Sequence, residues 1–446
     1  MRRSRALGGR GARSGGTGEW GPDRPLYLWL LLATLPLNVL SGTGSDALGL
    51  PLSPDRLTLA AALVLLALDP WAWRRTPLGV RGVHVAMAAV VALAAWSALV
   101  SGTLLTTAGL FSLADRLVVP FLLLTVAPVV FCTPERRDLL LQTLTLLGLY
   151  LGVTAVLEQV APALVVPSFV VDLSLGINQG RSRGPFLASE ALGLTLVVCG
   201  FAAVLLAVRR RGAWRAVAAA TAALAAVGVL LTLTRSIWLG AVIGVVVACL
   251  QQRRLRRLLP VLLAGAAALV LAVLVAVPAL QAAVTERAGT TRSLDDRRNV
   301  NEAALRVVER HPLTGVGWGR FIEESEEYVR QADTYPVTNV RLEVHNVPLG
   351  RAAELGLPGA VLWLVAVALG PGRATVGRVR TRGPEDEDLD GWRLVLTGGA
   401  ATWAVTIMLS PVPYPLPNYL VFLLAGVVLA PALVRRRAPR AAEVEA

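Results

Sequence analysis

Lysine is missing from the 446 residues, and histidine and cysteine occur only three times each. All 43 basic residues are therefore arginine, set against 30 acidic ones. His84, His311 and His345 are too few and too scattered for a multi-histidine metal centre. Cys132, Cys199 and Cys249 lie far apart in or beside apolar stretches, without metal-ligand spacing, and read as packing residues. Charge of either sign is scarce: 16% of residues are charged against 55% hydrophobic, and mean hydropathy is +0.61. That balance indicates a membrane protein before any motif is read. A net charge of +13 would suit nucleic acid, but the arginines fall in short runs between apolar segments, the pattern that encodes topology. No nucleic-acid partner is expected.

A helix needs about 20 apolar residues to cross a bilayer. Twelve stretches reach or approach that length: nine between Leu26 and Leu280, then Val347 to Leu369, Leu394 to Leu409 and Tyr419 to Val434. The expected fold is an all-α polytopic membrane protein of about twelve transmembrane helices with one long extracytoplasmic loop. A basic tail at 1–25 precedes nine spans at 26–280; a loop at 281–345 precedes three spans at 346–434; a second tail covers 435–446. The basic start runs through a Gly-rich stretch into the first apolar segment with no small-residue cleavage site, so no cleaved leader is expected.

If the arginine-rich start is cytoplasmic, every even-numbered span should end in basic residues. Arg74, Arg75 and Arg81 follow the second, Arg136 and Arg137 the fourth, Arg209 to Arg211 the sixth, and Arg253 to Arg257 include four after the eighth. Arg373 to Arg382 and Arg435 to Arg437 close the series. The alternation predicts a multi-pass inner-membrane protein with both termini cytoplasmic. The acidic run Glu385 to Asp390 reads as a solvated loop, and Asp115-Arg116 as a simple ion pair.

Arginine on the outward loops is not required by topology, so function is sought there. Arg181 and Arg183 lie in the loop Pro162 to Phe186, Arg235 in a tight turn, and Arg297 and Arg298 in the 281–345 segment. That segment opens as a helix with Ala303, Ala304, Leu305, Val307 and Val308 on one face. It continues into a turn-forming run, His311-Pro312-Leu313-Thr314-Gly315-Val316-Gly317-Trp318-Gly319, which is weak as a nucleotide loop without a preceding strand or lysine. His345-Asn346 stands where the loop meets the tenth span. Asn346 suits the N-cap and Pro348 the first turn, which would aim free amides and the positive helix end at an anion. The bland reading of His345 is an interfacial polar residue.

His345-Asn346, nine residues, Gly356, two residues and Gly359 together resemble the signature of the O-antigen ligase and O-antigen polymerase superfamily. Leu231-Thr232-Leu233-Thr234-Arg235-Ser236 is similar to that family's threonine/serine-arginine turn, and Arg181 through Gly184 to Phe186 to its arginine-glycine-phenylalanine motif. Arg297 through His311-Pro312 to Gly319 resembles its arginine, helix and glycine-rich turn. The likeness covers about 181–369 in motifs. Two positions depart from it: Asn301 stands where relatives often have tryptophan, which leaves Arg297 and Arg298 distinguished by register alone. Ala188-Ser189-Glu190 replaces an asparagine-rich stretch.

The resemblance implies a GT-C-like, metal-independent, inverting glycosyltransferase without cofactor. It would move a glycan from an undecaprenyl-pyrophosphate carrier to a hydroxyl of a glycolipid, glycan or protein acceptor at the outer membrane face. His345, Arg235 and Arg297 would be catalytic, with Arg181, Arg183, Arg298, Asn346 and Trp318 binding substrate. Arginine meets phosphate oxygens bidentately and stays charged at any working pH, and a positioned histidine can take the hydroxyl proton. Tyr335, like Trp318, is a candidate for stacking on sugar rings. Each arginine also has a plainer reading, snorkelling to lipid phosphates. Ligase, repeat-unit polymerase and protein O-oligosaccharyltransferase would share these motifs. A transporter or flippase, which predicts charges at the bilayer midplane, and a non-catalytic scaffold, which would tolerate loss of His345, stay open.

Overall fold

The computed structural model describes residues 24–41, 45–46, 49, 52–176, 180–276, 292–330, 342–376 and 384–434. Tyr335, the arginine runs at both termini and most of Arg373 to Arg382 lie outside them. Among the described residues the secondary structure is helical apart from one bridge between Leu78 and Val434.

Every one of the twelve apolar stretches coincides with a helix. The first nine are α1 (Leu26–Leu37), α2 (Pro54–Ala67), α3 (Gly82–Val100), α4 (Thr107–Val130), α5 (Pro134–Val160), α6 (Ser189–Arg209), α7 (Ala213–Leu231), α8 (Arg235–Gln251) and α9 (Leu259–Ala276). The polar interval carries α10 (Arg292–Arg310), and the chain ends on α11 (Val347–Val376), α12 (Pro384–Ile407) and α13 (Pro415–Leu433). Seven of these, α3 to α7, α11 and α13, are long and apolar enough to cross a membrane. The expected count of twelve therefore reduces to seven clear spans among the described residues. α1, α2 and α8 are short, α9 is short in its apolar stretch, and α12 begins in the acidic run.

Most of these helices are apolar around their whole circumference, as helices that face both lipid and protein must be. α13 is buried most completely and packs against α4, while α5, α6 and α7 pack on one another and α12 lies between α6 and α8. The α8 and α12 backbones approach so closely that a Cβ on Gly244 would stand 2.6 Å from the Gly398 carbonyl oxygen. Small residues at such crossings let helices gain dispersion contact where no hydrophobic drive separates protein from lipid.

At one end of the bundle the basic loops are tied to acidic groups. Arg137 Nε donates to Asp388, and Arg209 pairs with the same carboxylate at 2.6 Å. The run expected to be a solvated acidic loop instead opens α12, with Asp388 shared by these two arginines and Asp390 paired with Arg393 at 2.7 Å. At the other end Asp115 and Arg116 do not pair with each other. Asp115 takes Arg56 at 2.9 Å and the Tyr419 hydroxyl at 2.7 Å, whereas Arg116 turns the other way to Glu343.

Candidate functional site

The site gathers at that second end, where four segments meet, two of them joined by a backbone hydrogen bond and the other two by a small apolar core. The turn Arg181 to Gly184 is held from two sides. Ser182 Oγ donates to the Ala155 carbonyl at 2.7 Å, and the Arg183 and Gly184 amides donate to the Glu158 carboxylate at 3.1 and 2.8 Å. The Ser182 amide donates to the Leu231 carbonyl at 3.0 Å, which fastens this turn to the one that ends in Arg235.

That second turn is tight because Thr232 and Thr234 fold their hydroxyls back onto the Val229 and Thr232 carbonyls, at 2.7 and 3.0 Å. Leu233 adopts φ +49°, unusual for a branched residue. Thr234 is the N-cap residue of α8 and Arg235 its first residue, so an exposed guanidinium rides on the positive end of a helix.

α10 supplies the third segment. Its buried face is Val300, Ala303, Ala304 and Val307, packed with Phe321, Tyr328, Val344 and Ala353 into a small core against α11. Leu305, expected on that face, is 51% exposed because it lies about 100° around the helix from Ala304. The register separates the two candidate arginines. Arg298 is exposed, whereas Arg297 is partly buried within electrostatic reach of Glu190 and Arg235. Burial and the Arg235 charge lower the pKa of Arg297, and Glu190 opposes them.

The fourth segment is the start of α11. Asn346 caps it as expected, its Oδ1 accepting from the Leu349 amide at 2.9 Å, with Pro348 in the first turn. Its side-chain oxygen is thereby committed to the helix. α11 is broken at Gly356, where φ is +71° and ψ 177°. The freed Ala353 and Glu354 carbonyls accept from the Val316 and Gly317 amides at 2.9 and 3.1 Å, and the Leu357 amide donates to the Pro312 carbonyl at 2.7 Å. The glycine pairings have a steric cause: a Cβ on Gly356 would stand 2.4 Å from Leu313 backbone, and one on Gly315 2.4 Å from Glu354 backbone. The spacing from His345-Asn346 to Gly356 thus records a half-helix clipped to the glycine-rich turn.

His345 sits just ahead of that half-helix. Its pKa is lowered, first by burial and next by the charge of Arg297, with a hydrogen bond to the Glu343 backbone and the carboxylates of Glu343 and Asp296 opposing. Its Nδ1 is buried without a hydrogen-bond partner. At neutral pH the ring is neutral and can accept a proton.

His345, Arg297 and Arg235 therefore converge, and Arg181 stands on a turn bonded to that of Arg235. Two other expectations fail. Trp318 is 0% exposed, its backbone fixed by Ser97 and Thr103, so it cannot stack on a sugar. Arg183 is 2% exposed and donates to the Val170, Asp172 and Leu175 carbonyls, which makes it the clamp of the 170–176 loop and removes it from any substrate face. Two residues were missed. Glu190 reaches Arg297, and its only sequence signal was the departure at Ala188-Ser189-Glu190. Tyr414, between α12 and α13, is half-buried near Glu190 and Glu343, and desolvation first and then these carboxylates raise its pKa and keep it a donor. Nothing but its place in a proline-rich loop marked it.

Residues 220–364 match the family model described as O-antigen ligase. The match spans Arg235, Arg297, the glycine-rich turn, His345 and the α11 break, and bears out the resemblance carried by these motifs. It supports membership of the O-antigen ligase superfamily and a ligase- or polymerase-type function in general. No curated protein matches the chain.

Proposed function

From the O-antigen ligase superfamily as premise, we propose that this chain transfers a glycan from undecaprenyl pyrophosphate to an acceptor hydroxyl at the extracytoplasmic face of the inner membrane. The observation that carries the reading is the convergence of Arg235, Arg297 and a half-buried, neutral His345, from three segments 62 and 48 residues apart in sequence, at one end of the helical bundle.

In this reading the acceptor oxygen attacks the anomeric carbon while His345 takes its proton. The new glycosidic bond forms as the carbon–oxygen bond to the pyrophosphate breaks, and the electron pair leaves with the phosphate. Arg235, Arg297 and Arg181 meet the growing negative charge, aided by the amide end of α8, where preorganised charge lowers the barrier most. A positioned base contributes about a hundred- to ten-thousand-fold. Glu190 holds the Arg297 guanidinium by its charge, and Tyr414 stays protonated beside it.

The test replaces His345 by alanine and, separately, Arg235 by glutamine in purified protein, and follows release of undecaprenyl pyrophosphate from native lipid-linked glycan. Loss of turnover in well-inserted variants supports the assignment. Unchanged turnover in both removes it.

A further inference from the structure

A concavity lined by Glu343 and Val344, the two residues before His345, is chemically unlike the arginine cluster. It measures about 410 Å³, within the range of about 300–1,000 Å³ for small-molecule sites. Its walls come from the first turns of α4, the segment after Trp318 and the start of α11. Five charged groups line it, and four of them cancel in pairs, Arg116 with Glu343 and Arg351 with Glu354 at 3.1 Å, which leaves the carboxylate of the exposed Glu323 in excess. Arg351 is further held over the Trp318 ring, 4.6 Å from its centroid, and Glu354 accepts from the Gly319 amide at 3.1 Å. Pairing withdraws these charges from a phosphate but not their hydrogen-bonding capacity. Glu343 Oε2 and Arg351 Nε are buried without partners, one acceptor and one donor, and the Ser112 side chain lines the same wall. Buried polar atoms of this kind need a partner, and a polyhydroxylated ring offers both donors and acceptors.

Glu343 joins the two regions. It lines the cavity, holds Arg116, and lies two residues before His345, within electrostatic reach of that ring and of Tyr414. We propose that this cavity binds an uncharged sugar ring of the acceptor and that the Arg116–Glu343 pair positions it so that one hydroxyl faces His345. The inference rests on the transferase reading above. The volume suits one or two rings and no lipid tail, and a lining with one carboxylate in excess turns the donor's pyrophosphate away toward Arg235 and Arg297.

The experiment uses the full chain in lipid nanodiscs, free of maltoside detergent, with methyl glycosides of glucose, galactose, mannose and N-acetylglucosamine as probes and a sugar phosphate as the charged control. Saturation-transfer NMR is expected to detect at least one neutral glycoside and to rank it above the sugar phosphate. Ser112→Trp, which fills the cavity, should abolish that signal, and Glu343→Gln, which keeps its volume, should weaken it about tenfold, as loss of a charge-assisted hydrogen bond does. Binding of undecaprenyl pyrophosphate should be unchanged in Ser112→Trp. Absence of any glycoside signal, or a signal indifferent to both variants, overturns the proposal. Loss of donor glycan binding in Ser112→Trp also overturns it, because the ring in the cavity would then be the donor's. Failure of the parent protein to bind undecaprenyl pyrophosphate would instead sink the transferase reading, with the glycoside results still judging the cavity.

Discussion

Replacing Gly356 by alanine should unclip the glycine-rich turn from the half-helix that follows His345. At φ +71° and ψ 177° Gly356 occupies a backbone region essentially reserved for glycine, which costs any other residue about 1–3 kcal/mol. The new Cβ would also meet the Leu313 carbonyl carbon and oxygen at 2.4 Å, a backbone contact that no rotamer can relieve. The turn must move, and the three bonds Val316 to Ala353, Gly317 to Glu354 and Leu357 to Pro312 go with it. At about 0.5–1.5 kcal/mol each, and with the backbone term, the local penalty is on the order of 3–7 kcal/mol. Hydrogen exchange with mass spectrometry should show the amides of residues 316–317 and 357 losing at least about a hundredfold in protection, since about 1.4 kcal/mol is tenfold. Helices remote from the turn should keep theirs. Gly265→Ala in α9, where an added Cβ meets nothing within 4 Å, is the control and should change nothing. Unaltered protection and turnover in Gly356→Ala would refute the claim that the break is held by this clip.

Turnover should persist below the ordinary histidine range because His345 is kept neutral, and the acid limb of the pH profile should move upward in Arg297→Gln, which removes a charge that opposes protonation while Glu343 and Asp296 continue to favour it. A limb that stays in place or moves down would detach His345 from Arg297. Arg183→Ala should destabilise the 170–176 loop by about 3 kcal/mol or more, as three carbonyl partners are lost, and limited proteolysis should cut there first. Arg181→Ala should weaken donor binding in direct titration and leave that loop intact. Trp318→Phe should keep most transferase activity, since its Nε1 has no hydrogen-bond partner, whereas Trp318→Ala should cost about 3–5 kcal/mol of stability in thermal unfolding.

Hydrophobic length was enough to place the helices, and the cap at Asn346 followed from residue type alone, because both depend on neighbours in sequence. The convergence of Arg235, Arg297 and His345 was legible only through the family likeness. Partners were harder. Asp115 and Arg116 are adjacent in sequence yet bond to Arg56 and Glu343, 59 residues before and 227 residues after them. No local pattern encodes such choices. Apolar helices also hide which face meets protein, since lipid and core select the same side chains. Hence Trp318, polar at one edge and set in a turn, read as an exposed stacking surface and proved to be core. Arg183, a lesser candidate beside Arg181 in the sequence, was still assigned to substrate, because only the folded turn shows that it satisfies loop carbonyls.

The break in α11 separates two mechanical regimes. Membrane spans tilt and shift to match the thickness of the bilayer around them. The nine residues from Val347 to Leu355, roughly two and a half turns, are anchored instead by the Val316 and Gly317 amides, by the α10 core and by the Asn346 contact with the Met408 carbonyl at 3.4 Å. Strain from a thicker or thinner membrane is therefore expected to be taken up at Gly356, with the histidine keeping its bearing relative to the arginines while the rest of the helix settles into the surrounding lipid; equal hydrogen-exchange protection of residues 347–355 in bilayers of different thickness is the result expected.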